Sequence, residues 1–159
     1  MSWIALVFLA AAAAPSAPHP CSGERRALVV ETGMHRLWRC EDGRSVEELA
    51  VALGSGGVGK RREGDGKVPV GEYTLGAPLP SNRYRIFIPV GYPTAEQWRA
   101  GFTGSAIGVH GPARGYETLG AANTAVDWTL GCIAVGSDPE IERIAAWVKA
   151  KAVSRIVIH

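Results

Sequence analysis

Asp127-Trp128-Thr129-Leu130-Gly131-Cys132-Ile133-Ala134-Val135 is the stretch on which the reading turns, together with Val109-His110-Gly111 upstream. A cysteine stands at the mouth of a short apolar run, directly after a glycine. A histidine stands at the end of another, Ala106-Ile107-Gly108-Val109, and is also followed by glycine. If the two runs are neighbouring strands, their ends bring a thiol and an imidazole together, the pairing that makes a nucleophile near neutral pH. Glycine before the cysteine leaves room for a carbonyl to approach and frees backbone N–H groups as oxyanion donors. Against this, a cysteine in an apolar run also fits a small buried hydrophobe, and a histidine at a strand end a structural role.

Working outward, most segments read as short strands. Ala27 to Glu31 and Arg36 to Cys40 flank a turn at Thr32-Gly33, Glu41-Asp42-Gly43 makes the next turn, and Val46 to Leu53 a third strand. Val70 to Leu75 and Tyr84 to Val90 follow, the latter with Tyr84, Ile86 and Ile88 on one face and Pro89 marking an end or edge. Thr94 to Ala100 reads as a short helix, Thr94 and Gln97 being spaced as a capping box. Pro112 to Ala125 has no clear periodicity and reads as a loop facing substrate. Ser137-Asp138-Pro139-Glu140 starts a second helix with Ile141, Ile144, Ala145 and Val148 on one face, and Ala152 to Ile158 closes the chain as a strand. The class is therefore mostly β with a few peripheral helices.

Gly54-Ser55-Gly56-Gly57-Val58-Gly59-Lys60 imitates a phosphate-binding loop. Such loops need a helix to open at once and Ser or Thr after the lysine; here Arg61-Arg62-Glu63-Gly64-Asp65-Gly66 follows. The reading is a glycine-rich surface loop. With 47% hydrophobic and 20% charged residues the chain is an ordinary globular one, and a net charge of +2 gives no case for nucleic acid.

Residues 1–16 read as an export signal: an apolar run from Trp3 to Ala14, too short for a lasting membrane anchor, then Pro15 and small residues, though without a basic residue at the start. Residues 17–26 read as a linker or arm and residues 27–159 as the domain. Of three cysteines, Cys21 and Cys40 flank a hairpin and are placed to pair, which would leave Cys132 free; the alternative is a free Cys21.

His110-Gly111, a spacer, then Thr129-Leu130-Gly131-Cys132-Ile133-Ala134 resembles the active-site signature of the L,D-transpeptidase catalytic domain of the YkuD type. Gly64-Asp65-Gly66-Lys67-Val68-Pro69-Val70-Gly71-Glu72-Tyr73 is similar to a second run of that family, with Val68 in the place of threonine, and Gly91-Tyr92-Pro93 fits one subgroup. Many members carry histidine where Leu130 stands and arginine where Ala134 stands. The resemblance implies a compact sandwich- or barrel-like fold and a cysteine acyltransferase acting on peptidoglycan stem peptides in the periplasm or cell envelope. Cys132 would be the nucleophile and His110 the base and acid, with Gly131 at the oxyanion site and Thr129 in support. Gly111, Trp128 and Tyr92 would bind substrate, and carbapenems would acylate the thiol; Asp127 reads equally as orienting His110 or as an exposed turn acid. The thiol would be held as a thiolate beside an imidazolium, and no cofactor is required. Water as acceptor would make the enzyme an L,D-carboxypeptidase or amidase; an inert Cys132 would make it a peptidoglycan-binding domain. A metal site of His110, Cys132 and Asp127 would lack a fourth ligand.

Overall fold

A computed structural model describes residues 18–159; the proposed export signal and the first residue of the arm lie outside the described residues. Nine strands form one curled sheet in the order β4-β9-β1-β2-β3-β8-β7-β6-β5. β1 (Arg26–Glu31), β2 (Arg36–Glu41) and β3 (Arg44–Ala52) are a meander. The turn between the last two is Asp42-Gly43, both at positive φ (47° and 78°), the backbone that suits a two-residue hairpin. β4 (Gly71–Thr74), β5 (Leu79–Ser81), β6 (Arg85–Pro89), β7 (Gly108–His110), β8 (Ile133–Val135) and β9 (Arg155–Ile158) complete the sheet. The short β5 has no sequence signal, because two of its three residues are Leu79-Pro80 and its only partner is β6. Past their strands, β4 and β6 meet: Gly76 N–H donates to the Pro89 carbonyl (2.7 Å) and Gly91 N–H to that of Thr74 (2.9 Å). The sheet thus curls back on itself as a half-barrel.

Both faces of β1 are covered, which is why Ala27-Leu28-Val29-Val30 is apolar throughout. Leu28 and Val30 join the main core, with Leu37, Val51, Ile88, Val109, Ile133 and Ile158. Ala27 and Val29 face a smaller cluster formed by Trp38, Val157 and the half-cystines Cys21 and Cys40. α2 (Asp138–Lys151) seals the main core through Ile141, Ile144, Ala145, Trp147 and Val148. Its start follows from Ser137 at the N-cap, Pro139 in the first turn and the acids Asp138 and Glu140 against the positive helix end. α1 (Ala95–Arg99) is held by the complete Thr94–Gln97 capping box.

The Cys21–Cys40 disulfide ties the arm to β2 across 19 residues. A loop of that size restricts the unfolded chain by about 3 kcal/mol. Thiol titration of the denatured, unreduced protein should find one thiol, on Cys132. Cys21→Ser should lower stability by about 2–4 kcal/mol in urea melts; an unchanged midpoint would show that the arm adds nothing.

Candidate active site

The parallel pairing of β7 with β8 builds the site. Val109 lies opposite Ile133 and His110 opposite Ala134, so Cys132 enters the ladder beside Gly108. Cys132 and His110 line one cleft of about 290 Å³, walled by Arg83, Tyr84, Phe87, Ala106, Ile107 and Leu130. A larger open cleft near Glu72, Thr74, Pro93 and Arg155 holds neither a thiol nor an imidazole.

His110 is 1% exposed and fixed in orientation. Its Nδ1 lies 2.7 Å from the Gly111 carbonyl oxygen. A carbonyl only accepts, so Nδ1 carries the proton and Nε2 keeps its lone pair. Nε2 is buried and has no hydrogen-bond partner among the described residues. Tyr84 stacks on the ring at 3.8 Å and 19°, and Trp128 meets it edge-on at 5.7 Å. Burial, above all, pushes the imidazole down to about 4; Arg83 adds to this and the Gly111 bond opposes it. Burial likewise raises the Cys132 thiol, against the lowering effects of the Gly108 N–H, Lys60 and Arg83. The Cys132 Sγ–H is directed at the Ala106 carbonyl, 3.5 Å away.

Both directions run against a resting thiolate–imidazolium pair, because two charges would have to be created in a largely desolvated cleft. Burial favours the neutral thiol and the neutral imidazole, whose Nε2 keeps its lone pair.

Thr129 supports the turn, not the imidazole. Its hydroxyl donates to the Cys132 carbonyl (2.7 Å) and accepts from Gly131 N–H (3.1 Å). The Gly131 N–H is therefore spent on Thr129, and the backbone bond at the thiol comes from Gly108. Gly131 is needed for a different reason: φ is +125°, and a Cβ there would lie 2.5 Å from the Lys67 carbonyl oxygen. Beneath it, Gly54 packs so closely that its Cβ would lie 2.1 Å from the Gly66 oxygen and 3.2 Å from Gly131 Cα. The glycine-rich segment is thus an irregular loop, but not simply a surface one; it is the floor of the cysteine turn. Asp65 ties it together by accepting from Lys60 Nζ (2.8 Å) and from the N–H groups of Arg61, Arg62 and Lys67. Burial works to raise the Asp65 carboxyl, yet Lys60 and these N–H groups hold it well below the usual range.

Three expected positions fall elsewhere. Asp127 does not orient His110: its oxygens accept from Leu53 N–H (2.8 Å) and face His35 Nε2 (3.0 Å), which also removes it from any metal site with His110 and Cys132. Tyr92 is a core residue, 6% exposed, with its hydroxyl on the Thr103 carbonyl, and does not line the cleft. Gly111 is buried and acts through its carbonyl; a Cβ there would meet Ile141 Cγ2 at 2.9 Å. Trp128 does border the site, its Nε1–H held by the Asn123 carbonyl (2.9 Å). The 112–125 segment is partly 3-10 helix (Glu117–Thr124) and is pinned by Asn123, whose amide donates to the Gly136 carbonyl. None of its residues lines the cleft, which corrects its reading as a substrate-facing loop; with Trp128 it lines a separate pocket. Tyr84 and Arg83 are cleft residues that strand periodicity concealed, since the alternation of Tyr84, Ile86 and Ile88 reads as core packing.

Residues 25–158 match the L,D-transpeptidase catalytic domain (YkuD) family. The chain belongs to that family. Among solved structures it is similar to the helical cell shape determining protein Pgp2 from Campylobacter jejuni, at 26% identity and TM-score 0.67, over 84% of this chain and 46% of that one. It is also similar to Bd1075 of Bdellovibrio bacteriovorus, at 21% identity and TM-score 0.60, over 85% and 48%. LD transpeptidase LdtMt1 in complex with imipenem shares the fold at 15% identity and TM-score 0.52, over 85% and 59%. The chain thus spans about half the length of the first two relatives. Among curated proteins no match is found.

Two outcomes follow from this geometry. Gly131→Ala should cost about 1–3 kcal/mol and slow alkylation of Cys132, whereas Gly57→Ala, at φ +88° with open space around it, tests strain alone and should leave alkylation unchanged. Equal effects of the two would show that the floor does not position the thiol. Iodoacetamide alkylation of Cys132 should be slow at pH 6 and rise about tenfold per pH unit through pH 8, since the thiolate fraction grows with pH below a raised pKa. A rate that is fast and flat below pH 7 would mean that the ion pair exists after all.

Proposed function

We propose that this domain is a cysteine acyltransferase acting on peptidoglycan stem peptides. The observation that carries the reading is an imidazole whose Nε2 has no partner, lining the same cleft as the one free thiol among the described residues. Cys132 Sγ attacks the carbonyl of an L-to-D peptide bond while His110 Nε2 takes the thiol proton, so charge arises only as the bond forms. The Cys132 N–H faces the resulting oxyanion. Collapse breaks the C–N bond, and His110 returns the proton to the departing amine of the D-amino acid. The thioester is then resolved by the amine of a second stem, giving a cross-link; water instead gives a trimmed stem.

Such substrates lie outside the cytoplasm, so the reading carries export to the periplasm or cell envelope with it. No helix among the described residues is long and apolar enough to cross a membrane. The imipenem complex of LdtMt1 supports carbapenems as acylating agents for Cys132.

Mass spectrometry of the protein with a disaccharide-tetrapeptide should show a thioester at Cys132 and either a dimer or a tripeptide product. Cys132→Ala should fold and yield neither, and His110→Ala should lose about 100-fold or more in rate. Product formation by Cys132→Ala would refute the mechanism, and a wild-type protein that binds the peptide without product would make this a binding domain.

A further inference from the structure

One cation in the cleft wall has no structural task. Arg83 lines the cleft that holds Cys132 and His110, and no carboxylate side chain lines it. Its neighbours are occupied: Arg85 pairs with Glu142, and Arg114 with Asp138. Arg83 has no ion-pair partner among the described residues, and its side chain is exposed. Its backbone, in contrast, is fixed, the N–H donating to Ser81 Oγ (3.3 Å) and the carbonyl accepting from Arg114 N–H (3.0 Å). The guanidinium carbon lies 5.3 Å over the Tyr84 ring, and Tyr84 in turn stacks on His110 at 3.8 Å. A free fork of N–H donors is therefore held on the imidazole side of the cleft.

That side is where the leaving group must be. The departing nitrogen receives its proton from His110 Nε2, and in a terminal D-amino acid the carboxylate is two bonds from that nitrogen. We propose that Arg83 is the carboxylate-binding residue of the donor site, recognising the free C-terminal carboxylate of the residue to be expelled. The assignment rests on the acyl-transfer reading for its substrate. A guanidinium matches a carboxylate with two parallel hydrogen bonds. A donor capped as an amide, or extended by a further residue, leaves that fork unpaired.

Binding separates this inference from catalysis. In the Cys132→Ala protein, titration calorimetry with the disaccharide-tetrapeptide acid and with its C-terminal carboxamide should show the acid binding about tenfold tighter or more. Adding R83Q should abolish that preference while leaving the carboxamide's affinity unchanged, and R83K should restore part of it. Because Arg83 is exposed, the variants should melt at the parent temperature. A preference that survives R83Q, equal binding of both peptides to the parent, or binding of neither overturns the proposal. If the preference is present and lost in R83Q while wild-type protein forms no product, the carboxylate site stands and the acyl-transfer reading falls.

Discussion

Everything in the site depends on one pairing: β7 and β8 run parallel, with His110 opposite Ala134 and Val109 opposite Ile133. Parallel neighbours cannot be joined by a tight turn, so the chain must leave the sheet after His110 and return before Ile133. The 112–125 segment and the Trp128–Cys132 turn are that return. Their length is a consequence of topology, and their residues supply Trp128, edge-on to His110, and the free thiol of the cleft. Because the register brings Cys132 beside Gly108, the sulfur meets a backbone N–H and the Ala106 carbonyl, not the imidazole of the same strand.

The return path is held by backbone packing more than by side chains. Gly131 rests against the Lys67 carbonyl, and Gly54 against Gly66 and Gly131. Two loops can approach this closely only where Cβ atoms are missing, and a loop so rich in glycine needs an organiser to offset its entropy. Asp65 is that organiser. Its carboxylate gathers one ammonium and three backbone N–H groups, so the floor of the cysteine turn is a charged, hydrogen-bonded unit inside a largely apolar domain.

Burial then sets the resting chemistry. The imidazole is sandwiched by Tyr84 and edged by Trp128, with water excluded from the ring and Nδ1 committed to a carbonyl. Such a group is disfavoured as a cation. Arg83 and Lys60 work to lower the Cys132 thiol against its burial, while Arg83 also opposes an imidazolium.

The sequence by itself determined the strands other than β5, the Thr94 capping box, the second helix and the nearness of Cys132 to His110, because each rests on local periodicity, capping chemistry or a short motif. It also determined that the glycine-rich segment opens no helix, from Arg61 and the glycines after Lys60. It did not determine what faces what. Asp127, four residues before Gly131, is close to Cys132 in sequence but turns to Leu53 and His35; Tyr92 sits in a recognisable motif but packs in the core. Tyr84 and Arg83, far from both motifs in sequence, form the wall. Those choices belong to the tertiary structure, because side-chain direction at a loop or strand end is fixed by long-range register and by which backbones approach closely enough to exclude a Cβ, and neither constraint acts between neighbours in the chain.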